Sequence, residues 1–125
     1  MPRADVDLLQ RCLDLAGRAR REGNPPFGSL LVDGTGAVVQ EAWNTTRSDA
    51  DITAHPELKL ARWAARHLAE DDRARASMYT SGEHCPRCAT AHAYAGIGRL
   101  VSVVVEGPFL ELADACRTLH LADTP

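Results

Sequence analysis

The sequence predicts an α/β protein, a three-layer α/β/α sandwich around a central mixed sheet in the order αββαβαβα. Three observations predict it. Apolar residues recur at helical spacing in the segment that opens the chain and again downstream, short apolar or β-branched runs lie between the helical segments, and Gly, Pro, Asn and Asp clusters separate them. The first two strand runs are joined by a short turn and so pair antiparallel, whereas the later strands alternate with helices, which makes the sheet mixed.

Residues 5–21 place Val6, Leu9, Leu13, Ala16 and Arg20 on one side, with Leu8, Cys12, Leu15 and Ala19 widening the stripe, so a first helix is expected there. Glu22-Gly23-Asn24-Pro25-Pro26 ends it, since glycine stops helices and two prolines withhold backbone donors. Residues 27–32 read as a buried strand, Asp33-Gly34-Thr35-Gly36 as a turn, and residues 37–43 as the second strand of a hairpin. A polar loop follows over 44–53. Helical spacing returns over 54–68 through Leu58, Ala61, Trp63, Ala65 and Leu68, and Pro56 suits a first turn, where its missing N–H costs nothing. Met78-Tyr79-Thr80 is a short third strand, residues 85–96 an alanine-rich third helix closed by Gly96 and Gly98, residues 100–105 a β-branched fourth strand, and residues 109–121 a closing helix beyond Gly107-Pro108. There is no internal repeat, low-complexity tract or linker.

With 125 residues, 45% of them hydrophobic, the chain is expected to form one domain with one core, without disulfide staples. No apolar run approaches membrane-spanning length and Met1 to Asp7 runs straight into an amphipathic pattern, so a cytoplasmic protein without a membrane partner is expected. A net charge of −3, with arginines interleaved among acids, does not favour a phosphate-tracking surface. The six aromatics, two each of Phe, Trp and Tyr, are too few for a long stacking platform.

Chemistry concentrates in His55-Pro56-Glu57 and Cys85-Pro86-Arg87-Cys88. His55, Cys85 and Cys88 supply three donors of the kind zinc takes in catalytic sites, where the fourth position is left to an acidified water. Glu57 is placed to move protons beside such a metal. Cysteines at i and i+3 share one side of a helix, and a helix start favours the thiolate form. A Cys-x-x-Cys alone also suits half of a structural zinc site or a redox pair, but a redox pair has no need of a histidine, and a structural site needs a fourth Cys or His close by. Cys12 and Cys116 stand alone near the chain's two ends and read as small hydrophobes.

Phe27-Gly28-Ser29-Leu30-Leu31-Val32, Trp43-Asn44, Thr53-Ala54-His55-Pro56-Glu57, Tyr79-Thr80-Ser81 and Cys85-Pro86-Arg87-Cys88 resemble, in order and spacing, the cytidine deaminase-like superfamily, most of all its tRNA adenosine deaminase and guanine deaminase branch. The resemblance spans about residues 5–101. It implies one catalytic Zn2+ per chain, held by His55, Cys85 and Cys88, and Glu57 as the group that carries water's proton to a ring nitrogen and then to a departing amine. It also implies base binding by Asn44 and a pocket lined by Phe27, although a loop-capping asparagine and a core phenylalanine are the plain alternatives. A homodimer is implied as the default assembly.

Three departures accompany the resemblance. Relatives commonly have His-Ala-Glu where Pro56 stands, which stiffens the approach to Glu57. Where relatives read Cys-Glu-Pro-Cys, this chain has Gly82-Glu83-His84-Cys85. Glu83 keeps an acidic residue that orients the loop or the leaving amine, and His84 either contacts substrate or is a solvated loop histidine. Finally, Leu100 to Glu106 runs directly into Gly107-Pro108, where relatives carry a fifth strand, so a segment near Ser102 is expected to be absent. The expected substrate is a free nucleobase, nucleoside or related amino-heterocycle. The alternatives are a base within RNA or single-stranded DNA, and a non-catalytic, zinc-stabilised partner subunit.

Overall fold

Helix α1 (Arg3–Arg21) buries Asp5, Leu9, Cys12, Leu15, Ala16 and Ala19, which recur at the helical period. This is seen in a computed structural model that describes residues 2–82 and 86–102, without the side chains of residues 86–89. The buried stripe is rotated from the expected one, for Val6 and Leu13 stand 48% and 44% exposed and Arg20 is also exposed. The reason is Gly28, whose missing side chain admits Cys12, Leu15 and Ala16 against the sheet. The helix stops as expected. Gly23 takes a positive φ of 86°, with its N–H donating to Arg20 O and that of Asn24 to Ala19 O.

Strands β1 (Gly28–Val32) and β2 (Val38–Trp43) form the antiparallel hairpin, turned by Asp33, whose Oδ1 accepts from the backbone N–H groups of Thr35 and Ala37. Helices α2 (Pro56–His67) and α3 (Glu70–Arg75) lead to β3 (Ser77–Thr80), and α4 (Pro86–Ala95) leads to β4 (Arg99–Ser102). The sheet order is β2-β1-β3-β4, with β1 antiparallel to both neighbours and β3 parallel to β4. The mixed sheet is therefore as expected, but the element order is αββααβαβ over the described residues. Helix α3 gives no hydrophobic signal because none of its residues is buried. It is held instead by Arg73, which donates to Ala95 O and Leu68 O, both at 2.6 Å. The end of the expected fourth strand, the closing helix at 109–121 and the region beyond Ser102 where a segment was expected to be absent lie outside the described residues.

Both faces of β1 are covered, which is why all five of its residues are buried. Leu30 and Val32 join Leu9, Cys12, Tyr79 and Val101 on the α1 side. Leu31 joins Met78, Leu60, Ala61, Ala64 and Ile97 on the side of α2 and α4. Ser29 and Thr80 follow the pleat of Leu31 and Met78, so they share the α2 side.

The loop after β2 is tied down at several points. Asn24 Oδ1 accepts from the N–H groups of Arg47 and Ser48, both at 3.0 Å. Lys59 Nζ donates to Trp43 O at 2.9 Å and to Thr45 Oγ1 at 2.5 Å. Arg18 lies over the Trp43 ring, 3.9 Å from its centroid. The Asn44 backbone is thereby fixed relative to the start of α2.

Candidate active site

The start of α2 carries two of the expected site residues. His55 is its N-cap, in extended conformation, with its N–H donating to Thr53 O and its carbonyl accepting from Lys59 N–H. Pro56 takes the first helical position and is buried, as expected of a first-turn proline. Glu57 then falls in the first turn, where the partial positive charge of the helix end favours a carboxylate. It is only 4% exposed. Sequence reasoning assigned Glu57 its chemistry but not its anchorage. Thr80 Oγ1 lies 3.1 Å from Glu57 Oε1, Ser29 Oγ lies 3.3 Å from the same oxygen, and the two hydroxyls are 2.7 Å apart. The β1–β3 register sets Ser29 opposite Thr80, a tertiary pairing that no local pattern reveals.

Asn44 is buried at 3% exposure, and its Oδ1 accepts from both the N–H (2.9 Å) and the hydroxyl (2.8 Å) of Thr46. It does cap its loop. Because the amide oxygen is committed to Thr46, any further role falls to the donor Nδ2–H. Phe27 is 38% exposed and so is not a core phenylalanine. Glu83, His84 and Cys85 lie outside the described residues, and Cys88 lies within α4 with its side chain outside the description. Cys12 is buried in the α1 layer, and burial pushes its thiol up to about 12, which makes it an inert hydrophobe. Cys116 is outside the described residues. A groove of about 330 Å³ between β2 and α2, lined by Lys59, Arg62, Trp63 and Arg66 among others, contains none of the motif residues.

Thr80 ends β3 beside Glu57, and α4 begins at Pro86, a stretch of chain that reaches at most roughly 20 Å. The starts of α2 and α4, two helices that pack together, both lie within that reach of the same strand end. An imidazole and two thiolates, the donors that His55, Cys85 and Cys88 would offer, suit a zinc ion, since the thiolates balance the dication and Zn2+ accepts N and S donors. The donor set fits the metal.

A mixed sheet with β1 antiparallel to its neighbours, α1 on one face and α2 and α4 on the other, defines an α/β protein of the deaminase type. The chain belongs to the family described as the cytidine and deoxycytidylate deaminase zinc-binding region, which matches residues 2–104, and its cofactor is accordingly one zinc ion. It is 32% identical over 97 residues to a tRNA-specific adenosine deaminase of Haemophilus influenzae, covering 78% of this chain and 56% of the relative. It is 31% identical over 97 residues to a probable cytosine deaminase of Schizosaccharomyces pombe, covering 78% and 58%. The chain thus spans less than two thirds of the length of either relative. The solved guanine deaminase of Bacillus subtilis superposes with a TM-score of 0.70 at 29% identity, over 82% of this chain and 64% of that one. Among the described residues no helix is long and apolar enough to cross a membrane.

Proposed function

We propose that this chain, as one deaminase domain spanning residues 1–125, hydrolyses the exocyclic C–N bond of a free nucleobase, nucleoside or related amino-heterocycle in a zinc-dependent reaction. The observation that carries this is Glu57, buried in the first turn of α2, two residues from His55, with its carboxylate anchored to the sheet. A structural metal site has no use for a buried proton carrier beside it. His55, Cys85 and Cys88 would hold the zinc, which when bound supplies a water acidic enough to react near neutral pH.

Glu57 takes a proton from the attacking water and delivers it to the ring nitrogen next to the amino-bearing carbon. It then transfers the remaining hydroxyl proton to the amine as the C–N bond breaks, so one water is consumed, ammonia leaves and a carbonyl remains. Asn44 offers a donor to the ring and Phe27 lines the pocket. Glu83 and His84, next to Cys85 in sequence, bear on the leaving amine and the pocket edge. The setting is cytoplasmic, where thiolate ligands stay reduced, and the assembly a homodimer.

Small amino-heterocycles are favoured over polynucleotides by the net charge of −3 and by the few aromatics. A base within RNA is the second reading, favoured by the similarity to tRNA-specific adenosine deaminases. The test is ammonia release by the zinc-loaded protein across guanine, cytosine, adenine, their nucleosides and related heterocycles. Turnover of at least one is expected, with Glu57→Ala lowering it about 10²–10⁴-fold. Silence across the panel, with zinc bound, would sink the small-molecule reading. Salt-dependent binding and deamination of RNA would then establish the second.

A further inference from the structure

We propose that Ser29 and Thr80 are positioning residues for Glu57, a hydroxyl pair on the sheet that clamps a carboxylate oxygen and so holds the proton carrier in place. The inference rests on the deaminase reading above and extends it to two side chains outside the His-x-Glu and Cys-x-x-Cys motifs.

Both hydroxyls are wholly buried, on the face where Leu31 and Met78 supply the apolar core. Buried hydroxyls persist in such surroundings only when their hydrogen bonds are used. Each has one proton to give. The 2.7 Å approach of Ser29 Oγ to Thr80 Oγ1 requires one proton between them, which leaves one for Glu57 Oε1. The shorter path to the carboxylate is from Thr80, at 3.1 Å against 3.3 Å from Ser29. The pair therefore acts as a relay in which Ser29 donates to Thr80 and Thr80 donates to Glu57.

Glutamate has a long side chain with several freely rotating bonds, and α2 sets its backbone end. The hydroxyl pair fixes the other end from a different layer of the fold. A group that accepts a proton from water and returns protons at two further points must present the same oxygen in the same place each time, and a displacement of about 1 Å is enough to cost rate heavily. In this arrangement Ser29 and Thr80 act through Glu57.

The test measures kcat and KM separately on the substrate found in the panel, using the full chain with zinc content and melting temperature recorded for every variant. Thr80→Val keeps the shape and removes the hydroxyl, Thr80→Ser keeps the hydroxyl, and Ser29→Ala removes the supporting donor. Thr80→Val is expected to lower kcat on the order of tenfold or more while KM stays within about twofold and zinc is retained. Thr80→Ser is expected to restore most of kcat, and Ser29→Ala to fall between wild type and Thr80→Val. An unchanged kcat in Thr80→Val, where Glu57→Ala abolishes turnover, would overturn the clamp but leave the deaminase reading intact. So would a parallel loss of zinc, melting temperature and activity that Thr80→Ser fails to rescue. Should Thr80→Val not fold, Ser29→Ala decides on the same readouts. If the wild type turns over nothing, a double-mutant cycle of Thr80→Val with Glu57→Ala in denaturant still separates the two ideas. Non-additive midpoints support the clamp, and additive ones overturn it.

Discussion

Asp5 is 5% exposed yet charged, because Tyr79 Oη–H donates to its Oδ1 at 2.5 Å and Arg99 Nη2 donates to its Oδ2 at 2.8 Å. The Tyr79 hydroxyl, followed by Arg99, holds the Asp5 carboxyl below its ordinary 3.8 against the opposing effect of burial. Burial and then Asp5 push the Tyr79 phenol up to about 12. The signs give two pH windows. The depressed Asp5 pKa contributes stability that is present above pH 3.8 and lost as pH falls through the lower folded value. The raised Tyr79 pKa contributes stability that is complete below pH 10 and lost as pH rises through about 12. Tyr79→Phe is expected to cost about 1.5–3 kcal/mol near neutrality, as removal of a hydrogen bond to a buried charge does. Urea midpoints between pH 10 and 12 check the assignment. Wild type should lose stability across that window more steeply than the variant, and equal slopes would remove Tyr79 from the alkaline transition.

At the scale of elements, the seating of α1 depends on Gly28. A Cβ there would stand 2.5 Å from Cys12 O, 2.5 Å from Leu15 Cβ and 2.6 Å from Ala16 N. Two of the three are backbone atoms, which cannot swing aside. Gly28→Ala should therefore push α1 off β1 and destabilise the fold by about 1–3 kcal/mol or more, as overpacking does. A melting temperature equal to wild type would show that the helix can move without cost. The same contact explains what the sequence did and did not disclose. A helix over residues 5–21 was legible from its period, but its inward face was not, because that face is chosen by a bare Cα on a strand elsewhere in the chain. Val6 and Leu13 fell on the wrong side for that reason; in α2 the expected Ala65 is likewise exposed, while Leu60 and Ala64 are buried. Helix α3 escaped notice because its stabilising bonds run from the Arg73 side chain to carbonyls, and hydrogen bonds of that kind leave no periodic trace. His55 and Glu57 were legible as a motif because their chemistry is local in sequence. Ser29 and Thr80 stand in two of the segments that carry the resemblance, but their partnership was not legible, since it exists only through the strand register.

Over the whole molecule, the proposed ligand set ties the start of α2 to the start of α4, so the metal would link segments that the chain itself separates by a short helix and a strand. Binding of that kind is coupled to folding, since the unfolded chain holds no preformed site. Chelation should lower the melting temperature and re-addition of one equivalent of zinc should restore it. The cysteines give a sharper readout, because Cys12 and the proposed ligands face opposite fates. Cys12 is fully buried with its thiol pushed up to about 12, so it stays protonated and shielded whether or not metal is bound. Cys85 and Cys88, as zinc thiolates, should resist alkylation in the loaded protein and react once the metal is withdrawn. Alkylation mapped by mass spectrometry before chelation, after chelation and in denaturant should then label these sites in a fixed order. Cys85 and Cys88 should appear together at the second stage, and Cys12 only at the third. His55→Ala should move the pair to the first stage by weakening metal binding, with Cys12 still protected. Labelling of Cys85 and Cys88 in fully loaded wild type would remove them from the ligand set. Early labelling of Cys12 would mean that α1 leaves the sheet far more readily than its packing implies.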